Sequence, residues 1–150
     1  MEPAQYSYSL KFSLGTLLVL VVLMLILLNS AVVNSIQLIW ILYGFIGLVF
    51  VSLGGVLVVK RLMPALKGDV ALQLDDEGIS DFVKDVTIRW TDIQDISLIE
   101  GRTAAIMRVD LKWESDYGSQ IGIYLRWVKG KDKDIFESTL AYFEEYGVGE

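Results

Sequence analysis

The chain has no cysteine, no histidine and only two prolines in 150 residues. Without cysteine there is no disulfide and no thiolate nucleophile. Without either residue the usual zinc ligands are missing, and with histidine goes the commonest general base. Charge of either sign is also missing from Phe12 through Val59. That gap leaves no charged side chain to carry an ion or a proton through an apolar segment. No internal repeat or low-complexity tract is visible, and no cofactor motif, so no cofactor is expected. The paired glycines Gly54-Gly55 and the Gly44–Gly47 spacing have no lysine or strand-to-helix turn with them, which a phosphate loop requires.

The uncharged stretch holds two apolar runs. The second, Leu38 to Val59, is about 22 residues, or roughly 33 Å of helix, enough to cross a bilayer core. The first, Phe12 to Leu28, is about 17 residues, at the short end for a span. Between them Asn29 to Gln37 (NSAVVNSIQ) has the Asn and Ser content of a turn between antiparallel helices. A cleaved signal peptide is the competing reading. Its best cleavage point follows Ala31, with Asn29 where a small residue is wanted, so the fit is poor. The hairpin reading has a simple topology. Lys11 precedes the first span, Lys60, Arg61 and Lys67 follow the second, and the basic-side rule puts both termini in the cytoplasm. The expected site is the cytoplasmic (inner) membrane. Gly44, Gly47 and Gly55 fall within about 80° of one another at about 100° per residue, and Gly15 lies near the matching end of the first span. These glycines are the expected packing positions of the hairpin, against its own partner helix or against a second chain.

Leu62 to Gly68 (LMPALKG) reads as a linker, with Pro64 stopping the helix. The expected division is therefore 1–67, a membrane hairpin with a basic linker, and 68–150, a water-soluble head. Charge divides the same way: net +3 through Lys67 and net −9 from Gly68 onward. An acidic head disfavours nucleic acid as its partner.

From Asp69 the apolar period changes from helical to alternating. Strands are predicted at 70–74, at 79–84, around Val86, Ile88 and Trp90, from Ile93 to Leu98, across Met107 to Trp113, and from Ile121 to about Val128. Asp76-Glu77-Gly78 and Gly101-Arg102 read as turns, and 114–119 as a loop. Asp132 to Tyr146 is an amphipathic helix with Ile135, Phe136, Thr139, Leu140 and Phe143 on one face, Asp132 or Asp134 as its cap and Gly147 at its end. The fold class is thus a membrane α-hairpin followed by a β-rich α+β domain, a curved antiparallel partial barrel closed by its last helix. Its expected core includes Trp90, Ile93, Leu111, Phe136 and Leu140.

Two short motifs carry a resemblance. Leu72, Asp75, Gly78 and Ile79 form L-x-x-D-x-x-G-I, and Ile88, Trp90, Asp92 and Ile93 form I-x-W-x-D-I. With two preceding spans and a final helix, the chain resembles an uncharacterised bacterial family of short two-transmembrane proteins with a C-terminal pleckstrin-homology-like domain. The resemblance covers Phe12 to Tyr146 and implies a strongly curved antiparallel sheet capped by a helix. It implies no activity and no catalytic residues. Relatives of this fold that bind phosphoinositides use basic residues around the first hairpin. Asp75 to Asp81 is acidic, which argues against that ligand.

The remaining motifs read most simply as structure. Trp90 and Ile93 suit a core, with Asp92 bonding backbone amides at a bend. Asp75, Asp76, Glu77 and Asp81 suit a solvated hairpin tip rather than a cation loop, since they lack EF-hand spacing. Lys60, Arg61 and Lys67 suit topology anchoring and are compatible with contact to lipid heads. No pair of carboxylates stands out as catalytic. The expectation is a non-enzymatic, membrane-anchored interaction or scaffold module. Its expected partners are membrane lipid and an unidentified protein or a second copy. The alternative is an accessory subunit of a transport or envelope-stress complex assembled through the hairpin.

Overall fold

The structure is a computed structural model, described here for residues 2–33, 37–102, 104–115 and 118–147. The centres of two expected connections, 34–36 and 116–117, lie outside the described residues. The chain forms two compact units. Leu10–Lys67 is one; Met1–Ser9 with Gly68–Glu150 is the other.

The helical unit contains α1 (Leu10–Val33) and α2 (Gln37–Leu57). α1 is longer than its apolar run alone implies, because Asn29, Ser30 and the neighbouring valines continue it. Both are long and apolar enough to cross a membrane. Apolar side chains stand outward along them; Leu18 is 65% exposed and Ile41 71%. Apolar surface on this scale has no favourable contact with water. Pro64 does not stop the helix. A π-helical turn, Val58–Leu62, follows α2, and α3 (Met63–Lys67) continues from it. The Met63 N–H reaches back to the Val58 carbonyl. Pro64 then sits in the first turn of α3, where no N–H is needed, and the widened turn before it accommodates the proline ring. The helix ends at Gly68, whose φ of +75° suits glycine.

Among the described residues the second unit has seven strands: β1 (Ala4–Ser7), β2 (Val70–Leu74), β3 (Gly78–Asp81), β4 (Val86–Arg89), β5 (Ile93–Glu100), β6 (Ala105–Ser115) and β7 (Gly118–Tyr124). They form two antiparallel sheets, β1-β2-β3-β4 and β5-β6-β7. A bridge between Tyr8 and Val128 ties the end of β1 to the chain following β7. The N-terminal residues belong to this unit and not to the hairpin. β1 pairs with β2 from Ala4 against Leu74 to Ser7 against Val70. The head is therefore discontinuous in sequence, with residues 10–67 inserted between two adjacent strands. The acidic turn at 75–77 joins β2 to β3, so it is the second connection between strands and not the first.

Other boundaries also differ from the sequence reading: the strand expected from Ile121 to about Val128 runs from Gly118 to Tyr124 and gives way to a 3-10 turn at Leu125–Trp127. The strand expected at 79–84 ends at Asp81, where the chain turns through Asp85 at φ 60°. Trp90 leaves the strand for a 3-10 turn, Trp90–Asp92. The last helix, α4 (Asp132–Tyr146), starts without either predicted cap. Lys131 holds the cap position and makes no side-chain cap bond; Asp132 and Asp134 lie inside the first turn, where carboxylates favour the helix dipole.

The core takes Leu72, Leu74, Ile79 and Ile88 from the first sheet and Ile93, Met107, Val109 and Ile123 from the second. Trp90, Ile93 and Leu111 are buried. Phe136 and Leu140 are only partly buried, and α4 instead buries Ile135, Thr139 and Tyr142. The buried stripe is thus rotated from the one marked by the largest apolar residues. Thr139 can be buried because its hydroxyl donates to the Ile135 carbonyl at 2.8 Å. Tyr142 brings its ring over Trp90.

Candidate interaction surface

The two motifs meet at one corner of the head. Asp75 follows β2, and its Oδ1 accepts the backbone N–H of Glu77 and of Gly78, each at 3.0 Å. Gly78 then passes so close to β4 that a Cβ would overlap the Ile88 carbonyl. The Trp90 indole N–H donates to the Asp75 carbonyl at 2.7 Å. Its ring stacks on Tyr142 at 6.1 Å and tilts against Phe143 at 6.5 Å. The motif residues Asp75, Gly78 and Trp90 therefore join a turn, a strand pair and α4. Asp92 is not the residue that accepts backbone amides; Asp75 and Asp81 do so, while Asp92 accepts the Thr91 hydroxyl at 3.4 Å.

The acidic cluster does not converge. Asp81 is buried at the far end of β3, where its Oδ1 accepts the N–H of Val83 at 2.8 Å and of Lys84 at 3.3 Å. Asp75 and Asp81 each close a turn of their own. Burial by itself would raise the Asp75 carboxyl. Bonds from the Gln73 amide and from the Gly78 and Glu77 backbone outweigh it and hold the group below the ordinary aspartate value. Among the described residues no three His, Cys, Asp or Glu side chains gather as a metal site.

The hairpin glycines are placed differently from the sequence expectation. A Cβ added at Gly15, Gly44, Gly47 or Gly55 would meet nothing within 4 Å. None of the four seats α1 against α2. The close approach is at Gly54, where a Cβ would touch the Leu20 side chain at 3.4 Å. Wheel positions show which residues share a face, but not which face meets the neighbour. Lys60 and Arg61 lie on the π-helical turn and Lys67 ends α3.

Two features of the head suit contact with another chain. First, among the described residues β5 pairs only with β6, so its other edge carries backbone groups outside the sheet. At its end a cleft of about 570 Å³ lies between Leu98, Glu100 and Ala104 on one side and Lys131, Lys133 and Asp134 of the α4 start on the other. Lys133 and Glu100 approach to 3.4 Å, both well exposed. Second, Trp113 is 74% exposed. β6 outruns its neighbours there: β5 pairing ends at Leu111, and the β7 register breaks between Asp110 and Ser115. The cleft joins elements separated by about 30 residues of chain, beyond the reach of a local pattern. The cleft offers backbone and mixed charge, which fits an extended peptide better than a small apolar ligand. No family model, no curated protein and no solved structure matches the chain.

Proposed function

We propose that the chain is a membrane-anchored, non-enzymatic interaction module. In this reading α1 and α2 cross the cytoplasmic membrane as a hairpin, and a pleckstrin-homology-like head faces the cytoplasm. One observation carries it: β1 and β2 are hydrogen-bonded neighbours on either side of the helical insert. Two strands paired in one sheet must share one aqueous compartment, so the insert crosses an even number of times. Basic residues at both ends of the insert, Lys11 and then Lys60, Arg61 and Lys67, favour the cytoplasmic side. Sheets of four and three strands with a C-terminal helix over Trp90 support the pleckstrin-homology-like, partial-barrel reading. The open edge of β5 and its cleft are the surface for a protein partner.

The absence of cysteine makes the test direct. Single cysteines at Glu2, Asp76 and Val33 are labelled with a membrane-impermeant maleimide. Glu2→Cys and Asp76→Cys should react from the inner side only and Val33→Cys from the outer side only. Reaction of Asp76→Cys in intact cells overturns the orientation. Purification of the tagged chain from solubilised membranes should recover a specific partner, and repeated recovery of none overturns the interaction reading.

The open setting of Gly44, Gly47 and Gly55 favours a second reading, an accessory subunit of a transport or envelope-stress complex assembled through the hairpin. Gly47→Leu with Gly55→Leu should then abolish co-purification while the head stays folded. Unchanged association sinks that reading.

A further inference from the structure

Both connections between the head and the hairpin leave the head at one end. There the Tyr8 N–H donates to the Asp69 carbonyl at 3.2 Å, next to the paired ends of β1 and β2. α1 begins at Leu10, the residue after Ser9, and only Gly68 and Asp69 separate α3 from β2. Fully extended, the chain from Lys67 to Val70 spans about 11 Å at most.

The same end of the head holds apolar side chains in the open. The turn from β3 to β4 lies there: the Phe82 N–H donates to the Ala71 carbonyl at 2.9 Å, and the Phe82 carbonyl accepts the Tyr8 hydroxyl. The Phe82 side chain is 49% exposed. In the second sheet Ile99 pairs with Ile106, and Ile106 with Tyr124. This row lies on the face opposite the buried Met107 and Ile123, and Ile99 and Tyr124 at its two ends are exposed. Tyr124 leads into the turn Leu125–Trp127, whose last carbonyl accepts the Ser9 N–H at 2.7 Å. The Lys84 ammonium, from the β3–β4 turn, donates to the Gly122 carbonyl and lies 4.6 Å from the centre of the Tyr124 ring. The turn and the row are therefore neighbours.

The acidity of the head is concentrated elsewhere. β2 runs away from the chain exits, and Asp75, Asp76 and Glu77 follow its far end. The Trp90 N–H donates to the Glu77 carbonyl at 3.3 Å, and its ring stacks on Tyr142, so Glu144 and Glu145 at the end of α4 lie on that side as well. Beside the exits, exposed Lys84 and Lys129 offset exposed Asp69 and Asp85.

We infer that this end of the head is a second membrane contact, in which Phe82, Ile99 and Tyr124 enter the interface of the bilayer that holds the hairpin. The inference rests on the hairpin reading above. It adds what the tethers alone do not require, that the head lies on the lipid instead of standing off it. The bilayer is the occupant because the chain passes from this end into membrane-length helices, and two short tethers hold the end near the headgroup layer. Apolar side chains there gain contact with acyl chains, while Tyr124 keeps its hydroxyl among the headgroups. Balanced charge beside the exits removes the need for anionic lipid, so the contact forms on phosphatidylcholine.

The test uses the full chain in phosphatidylcholine nanodiscs, with one nitroxide per chain on Phe82→Cys, Ile99→Cys or Asp76→Cys. Power-saturation electron paramagnetic resonance reads collisions with oxygen, which concentrates in lipid, and with a nickel chelate, which stays in water. At the Phe82 and Ile99 positions oxygen collisions should exceed nickel collisions, and at the Asp76 position the order should reverse. Nickel should reach the first two positions severalfold less than the third. Water-like values at both Phe82 and Ile99 overturn the proposal and leave the hairpin reading intact. Low access of both reagents at these positions marks a protein contact and overturns it equally. Ile99 lies in a strand outside the turn, so it decides alone should Phe82→Cys disturb the fold. A chain that does not enter the discs overturns the hairpin reading and this proposal with it.

Discussion

Replacing Trp90 with alanine should unfold the head or bring it close to unfolding. The side chain is 1% exposed and lies where β4, the second-sheet strands and α4 come together. Loss of a buried aromatic of this size costs about 3–5 kcal/mol, against a total stability of about 5–15 kcal/mol for a typical domain. The Asp75 carbonyl loses the indole N–H at 2.7 Å, and Tyr142 loses its stacking partner. For a domain of this size a loss of that order lowers Tm by about 15–35 °C. Trp90→Phe separates the terms. It keeps most of the ring burial and removes only the donor, so it should cost about 1–2 kcal/mol. Thermal melts followed by near-ultraviolet circular dichroism read both. A Trp90→Ala protein that melts with the unaltered one would show that the motif tryptophan is not the junction described here.

The second large effect concerns the first nine residues. A chain carrying 1–9 joined to 68–150 through a short glycine-serine loop, without residues 10–67, should be a soluble folded domain. Residues 68–150 alone should not fold. Tyr8 is 7% exposed, and its hydroxyl donates to the Phe82 carbonyl at 2.9 Å. Its N–H donates to the Asp69 carbonyl at 3.2 Å, which brings the two cut ends close enough for a tight loop. Ser9 N–H donates to the Trp127 carbonyl and Lys129 N–H to the Ser7 carbonyl, both at 2.7 Å. The Tyr142 hydroxyl donates to the Glu2 carbonyl. Removing 1–9 deletes all of these, opens a cavity where Tyr8 lay and leaves β2 an unpaired edge beside the core. Dispersed amide resonances for the joined chain and their collapse for 68–150 would bear this out. Equal stability of the two would mean that β1 is an ornament on a complete domain.

The hairpin was legible because it depends on one-dimensional facts. A run without charge is apolar whichever way its faces turn, and cations at both ends of the insert are visible by counting. The alternation through Met107, Val109 and Leu111 was equally plain, since a strand with one buried face repeats every two residues. β1 was not legible. Ala4 to Ser7 has no run of apolar residues, and its pairing partners lie beyond the helical insert, more than sixty residues away. The turn role of Asp81 was hidden for a similar reason: ISDFVK alternates well enough to read as strand until Asp81 closes on Val83 and Lys84. In α4 the spacing marked the helix, but not whether Leu140 or Tyr142 would face the core.

By itself, then, the sequence determined the element types, the uncharged membrane-length stretch, the net positive charge of the hairpin and the acidity of the head. These depend on composition and period, which each residue carries wherever it is placed. Only the tertiary structure decided that the head is assembled from segments on both sides of the hairpin in sequence, that Gly54 rather than Gly47 meets the neighbouring helix, and that Trp90 joins a turn to the last helix. Those outcomes depend on which distant backbone donors find which acceptors and on how a helix is rotated about its axis, and neither is encoded in any local stretch of the chain.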